Sequence, residues 1–176
     1  CYSVSSLILL CLFFALRHGT YRTESSLGSS GDSAYHHSET DERIFAFLVE
    51  GVERDWLDYS LADKGIIERL GLSRDNYGDG IFIHPPLFVY TLAVLKKCVG
   101  LSLPSSILAM QGASLLLTGR LASELRPSEG AGRAGLAAMV LYSFCPLAAF
   151  CSQKVWIDNA LAFYCLVVAN VHSSLW

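Results

Sequence analysis

Three uncharged stretches constrain this chain more than any other feature. Residues 98–119, 134–153 and 159–176 hold 22, 20 and 18 residues without one Asp, Glu, Lys or Arg. A bilayer core about 30 Å thick is crossed by roughly 20 apolar residues in a helix, so each stretch is long enough to span. A fourth run, residues 4–16, is shorter and reads as a transmembrane helix whose start is missing. Its rival reading is a signal-peptide core, but Arg17-His18-Gly19 follows it where a small-x-small cleavage site would stand. With 52% hydrophobic and 16% charged residues, the composition is too apolar for an ordinary soluble domain. The expected fold class is all-α: a polytopic α-helical membrane protein, read as an amino-terminal piece of a larger one because no initiating Met is present.

Charge is unevenly spread. Thirteen of the 16 acidic residues lie between Glu24 and Asp79, and residues 17–79 hold 7 basic against 13 acidic residues, a net of −6. An acidic loop between apolar segments is a poor partner for nucleic acid. The expected organisation is a first helix in 1–19, a lumenal or periplasmic acidic loop over 20–84 and a membrane module over 85–176. Within the loop, residues 20–38 read as a flexible spacer. Ile44, Phe45, Phe47, Leu48 and Val52 then make one apolar helical face, capped by Ser38 or Thr40 with Asp41 and Glu42 in the first turn. A second short helix is expected over residues 61–70, closed by Gly71. Both amphipathic helices are expected to lie on the membrane surface.

Between loop and membrane stands Gly80-Ile81-Phe82-Ile83-His84-Pro85-Pro86-Leu87-Phe88. Pro85 keeps His84 out of the α region, so His84 is held on a stiff elbow, while the prolines also suit the first turn of a helix. The segment over 85–97 is too short to cross, ends in Lys96-Lys97 and is expected to be interfacial. Arg120, Arg126 and Arg133 mark the connection between the first two long runs as cytoplasmic. The acidic loop and residues 154–158 then lie outside, although Arg17 and Arg22 count against this orientation. Asp41, Glu42, His84, Lys154 and Asp158 would share one membrane face.

Other chemistry is thin. Residues 75–86 are no calcium loop, since Tyr77 and Pro86 occupy liganding positions. No phosphate-cradling, dinucleotide or nucleophile-elbow motif appears. The six cysteines lie in or beside apolar runs without metal-ligand spacing and are expected to be inert packing residues. Each candidate has a plainer role too: Asp41, Glu42 and Asp158 are favoured at helix starts whatever else they do.

Taken in order, these motifs resemble the amino-terminal module of the GT-C glycosyltransferases, in the protein O-mannosyltransferase and aminoarabinose transferase branch. Asp41-Glu42 is similar to that branch's acidic pair, and His84-Pro85-Pro86-Leu87 to its His/Lys-Pro-Pro-Leu elbow. Residues 152–163, Ser-Gln-Lys-Val-Trp-Ile-Asp-Asn-Ala-Leu-Ala-Phe, are similar to its Ser-Gln…Asp…Leu-Ala-Phe stretch, and residues 120–125 to its cytoplasmic turn. The resemblance runs from Thr40 onward and leaves out the carboxyl half that shapes the acceptor site, so this piece is expected to be inactive alone. It implies transfer of a sugar, mannose-like, from a polyprenyl (dolichyl) phosphate carrier to an acceptor hydroxyl on the lumenal or periplasmic side. Asp41 resembles the base, with Glu42 beside it; His84, Lys154 and Asp158 would bind the lipid phosphate and substrate. Family members differ in metal use, and a divalent cation, where present, would bridge Asp41 and Asp158. The implied location is integral to the endoplasmic reticulum membrane in a eukaryote or the inner membrane in a bacterium. Sugar and acceptor, whether protein, glycan or lipid, stay open. The competing reading is a non-catalytic polytopic membrane protein, a transporter or assembly subunit. A transporter should carry ionisable groups inside its spans, and the three long runs have only His172.

The arginine-rich connection yields a direct prediction. Single cysteines at positions 126 and 75, in a background without the native ones, should react with an impermeant reagent from opposite sides of the membrane. Reaction from the same side sinks this orientation.

Overall fold

The computed structural model describes residues 4–26, 40–59, 86–126, 130–151 and 157–175; for residues 16–26, 40–43, 149–151 and 157 it describes the backbone alone. Among the described residues there are seven helices and no strand: α1 (Val4–Ser26), α2 (Thr40–Arg54), α3 (Leu87–Val99), α4 (Leu103–Glu124), α5 (Ala131–Phe144), α6 (Pro146–Cys151) and α7 (Ile157–Leu175). The protein is all-α. No single described helix is long and apolar enough to cross a membrane; α3 and α4 meet that requirement only together, as a bent pair.

Local sequence explains where the helices stop, and it corrects several expected boundaries. Helix α1 continues through residues 20–26, where a spacer was expected. That stretch holds no proline, and Gly19 alone costs only about 1 kcal/mol in a helix. The expected span over 98–119 is displaced to α4, because Gly100 closes α3 in the left-handed conformation at φ 77°. The Gly100 N–H bonds Lys96 O at 3.1 Å and the Leu101 N–H bonds Leu95 O at 3.2 Å, satisfying carbonyls that the helix end leaves open. Ser102 restarts the chain as an N-cap: its Oγ accepts from Ser105 N at 3.3 Å, two residues into α4 from Leu103. The expected continuous span over 134–153 is broken as well. Pro146 lacks an N–H and forces Cys145 to an extended ψ of 119°, so α5 ends at Phe144 and a short α6 begins at the proline. Pro86 takes the helix-start role, in helical conformation with its carbonyl accepting from Tyr90 N at 3.0 Å. The expected helix over 61–70, its closing Gly71 and the rest of the elbow lie outside the described residues.

The chain divides into two compact units, Leu27–Ser106 and Cys1–Ser26 with Ile107–Trp176. In the first, α2 packs along α3. Ile44, Phe45, Leu48, Val49 and Val52 are buried with Phe88, Val89, Leu92 and Ala93, and the Phe45 and Phe88 rings meet edge to face at 5.0 Å. Full burial of such side chains stabilises by about 1.5–3 kcal/mol each. The apolar face of α2, expected on the membrane surface, is therefore covered by α3. Lys96 and Lys97 do not end free either: Lys96 pairs with Glu53 at 2.7 Å, and Lys97 Nζ donates to Glu53 O at 2.9 Å. Both cations thus sit against the carbonyl end of α2, where the helix dipole favours them. Lys97 also lies 5.3 Å over the Trp56 ring, which stacks on Tyr90 at 6.1 Å.

The second unit mixes apolar and polar side chains in its interior. Phe13, Leu115 and Met139 form a small apolar centre with Phe14 and Tyr142 beside it, yet Gln111, Ser114, Asn159 and Asn170 are buried too. Meanwhile Leu141 and Phe144 are both 73% exposed and Val168 is 67% exposed. The cysteines follow this outward turn: Cys11 and Cys165 here, and Cys98 of the other unit, are exposed and Cys145 is half-buried, contrary to the expected packing role. Helices α4 and α5 run antiparallel and touch at glycines. A Cβ on Gly135 would fall 2.6 Å from Gly119 O and against Ser123 Oγ, and one on Gly119 would meet Met139 at 2.6 Å. Small residues here let two backbones approach closely.

This crossing predicts a contrast between two neighbours on α5. Gly135→Ala should destabilise the unit by about 1–3 kcal/mol through overpacking, whereas Gly132, which has open space around it, should tolerate Ala or gain up to about 1 kcal/mol in helix propensity. Thermal unfolding in detergent compares the two; equal melting temperatures would refute the tight crossing.

Candidate functional site

Among the five candidate residues, Asp158 is the one whose side chain the structure describes. Asp41 and Glu42 occupy the first turn of α2, as expected, with their backbone alone described. His84 and Lys154 lie outside the described residues. The expectation that Asp41, Glu42, His84, Lys154 and Asp158 share one membrane face therefore rests in part on positions outside the description, and so does any cation between Asp41 and Asp158. Among the described residues no three His, Cys, Asp or Glu side chains stand close enough to hold a metal.

Asp158 is exposed and stands within the first turn of α7 instead of before it. The helix thus gains from its charge near the N-terminal N–H groups, while the side chain remains open to solution or ligand. Its face of α7 continues into Leu161, Cys165 and Val168, all exposed. The next residue behaves oppositely: Asn159 is 0% exposed. Its Oδ1 accepts from Gln111 Nε2 at 2.5 Å, and Gln111 Oε1 in turn accepts from Tyr142 Oη at 2.5 Å. Three helices, α4, α5 and α7, are joined by this chain within one turn of Asp158. Further along, Asn170 Nδ2 donates to Leu117 O at 3.1 Å and to Leu166 O at 2.8 Å. Residues 111, 117 and 120 of α4 meet 159, 170 and 174 of α7 in the same order, so these helices run parallel.

At the far end of α7 residues 120–124, expected as a turn but forming the end of α4, make a second polar cluster. Arg120 pairs with Glu124 at 2.7 Å and donates to Ser174 Oγ at 2.6 Å, while Ser173 Oγ donates to Glu124 Oε2. Arg120 and residues 120–125 were marked from the sequence, but their bonds to Ser173 and Ser174 were not, nor was the Tyr142–Gln111–Asn159 chain. The available signal was polar residues inside otherwise apolar runs, which turn inward when the exterior is apolar.

The Ser173 hydroxyl, followed by Arg120, holds the Glu124 carboxyl below the usual carboxylate range. Because the folded value lies below the unfolded one, the cluster's contribution is complete above the ordinary carboxylate range and is lost as pH falls through the lowered value. Ser173→Ala should move the Glu124 titration upward, read by carbon NMR of labelled Glu side chains; an unmoved titration would remove the hydroxyl from this account.

No protein-family model, curated protein or solved structure matches this chain.

Proposed function

We propose that the chain belongs to an integral-membrane glycosyltransferase that moves a sugar from a polyprenyl phosphate, dolichyl phosphate in a eukaryote, to an acceptor hydroxyl on the lumenal or periplasmic side. The observation that carries the membrane part is the pairing of buried amides with a largely apolar exterior in the α1, α4–α7 unit. Buried amides of Gln111, Asn159 and Asn170 face one another and the backbone, while Leu7, Ile8, Leu12, Leu141, Phe144, Leu161 and Val168 point outward. In water, exposed apolar side chains on this scale are a liability. In lipid the outer surface has no such cost, and helices associate through small residues and inter-helix hydrogen bonds. The alternation of α4, α5 and α7 in direction supports a packed bundle of the kind that lipid surrounds.

Sugar transfer rests on the resemblance carried by Asp41-Glu42, His84-Pro85-Pro86-Leu87 and residues 152–163, and it is supported by the open position of Asp158 at the start of α7. In this reading the acceptor oxygen bonds to the anomeric carbon while its proton passes to the Asp41 carboxylate. The bond between that carbon and the phosphate oxygen breaks, and polyprenyl phosphate leaves as an anion. Fixed cationic donors stabilise developing negative charge, a task for His84 and Lys154. Asp158 orients the phosphate-binding cation or the acceptor.

Asp41→Asn in the intact protein keeps the side-chain shape and removes the base, so transfer should fall by roughly 10²-fold or more with insertion unchanged. Radiolabelled sugar transfer from polyprenyl phosphate in proteoliposomes measures it. Turnover near the unmodified rate makes Asp41 a helix-start acid only, and Glu42→Gln then tests the neighbouring carboxylate. No transfer from any polyprenyl-phosphate sugar by the unmodified protein favours the non-catalytic reading.

A further inference from the structure

We propose that Tyr142, Gln111 and Asn159 are positioning residues: their hydrogen-bond chain locks the rotation of the α7 N-terminus and so sets where Asp158 stands. The part of this inference that concerns turnover rests on the glycosyltransferase reading; the geometric part does not.

Successive residues of a helix are separated by about 100° around its axis. Asn159, fully buried and bonded to Gln111, therefore dictates the direction in which Asp158 leaves the helix. Ala160, also buried, is too small to provide a comparable anchor. The far end of α7 has its own attachments, Asn170 to Leu117 O and Ser174 to Arg120, so loss of the Asn159 bond frees the first turns selectively. Gln111 is the middle of the chain, with its amide oxygen taken by Tyr142 and its amide nitrogen by Asn159. An aliphatic residue there would remove both of these bonds and with them the link between α4, α5 and α7. The arrangement gives Asp158 a fixed bearing through the backbone of the residue next to it.

The test uses the intact protein in liposomes, with native cysteines replaced and nitroxides attached at Asp158→Cys and Leu141→Cys, two exposed positions. Pulsed electron resonance reads the distance between them. Gln111→Leu should widen that distance distribution roughly twofold or more as the α7 start samples more bearings. The exchange variant Gln111→Asn with Asn159→Gln keeps the total reach of the two amides and should restore the narrow distribution. With Asp158 in place, Gln111→Leu should raise KM for the polyprenyl-phosphate sugar by roughly tenfold and leave kcat within about twofold, a loss of ground-state orientation. An unchanged width in Gln111→Leu overturns the proposal, and a width that stays broad in the exchange variant overturns it in favour of lost packing. Should Gln111→Leu fail to insert, Tyr142→Phe, which removes one hydroxyl, is judged by the same distance: widening supports the lock and no widening overturns it. A width that responds in a protein without transfer activity supports the lock and defeats the glycosyltransferase reading alone. Conversely, transfer lost in Asp158→Asn with an unresponsive width defeats the lock alone.

Discussion

Helix α4 is the axis of its unit, and the hydrogen bonds of Gln111 are what the neighbouring helices depend on for their alignment. A buried primary amide without partners costs about 1–3 kcal/mol, so the position is stable only with Tyr142 and Asn159 both in reach. That requirement couples three helices through one side chain. The rest of α4 works by close approach: the Phe14 ring lies over Gly112, and Gly119 faces Met139 and Gly135. Polar attachment at one level and small-residue contact at another leave the large apolar side chains free to point outward. This is how a helical unit with an apolar exterior can choose one packing when the exterior itself provides no preference.

The α2–α3 pair is held by an apolar seam: Ile44, Phe45, Leu48, Val49 and Val52 are buried with Phe88, Val89, Leu92 and Ala93, as burial of apolar area from water favours. Glu53 gathers both lysines of α3, by its carboxylate and by its backbone carbonyl, while Tyr90 Oη donates to Trp56 O at 2.5 Å. The pair is thereby held at the C-terminal end of α2 as well as along its face.

Much of the helical pattern was legible because its causes are local. Gly100, Ser102 and Pro146 act on their own turn, and a reading attentive to them would have placed the breaks that the length of the uncharged runs concealed. The run over 134–153 looked continuous since hydropathy averages over a window, while a single missing N–H acts at one residue. Helix α1 outlasted its apolar run for the same reason in reverse: polarity alone does not end a helix in the absence of proline. The presence of α2 followed from the spacing of Ile44, Leu48 and Val52, although the helix begins at Thr40 and so takes in the residue expected to cap it.

The amino-acid sequence by itself determined that the chain is helical, where its apolar runs lie, and that Asp41, Glu42 and Asp158 fall at helix starts, because each depends on residues within a few positions of one another. Partners across the fold are a different matter. The covering of α2 by α3 reassigned an amphipathic face from lipid to protein and gave both lysines a partner in Glu53. Likewise Asn159 turned inward and Asp158 outward through a bond to Gln111, 48 positions earlier in the chain. Tertiary structure alone decided these, since a helix wheel gives the relative bearing of two neighbours but not which of them faces the core. That absolute rotation is settled by the distant side chain that accepts or donates the hydrogen bond.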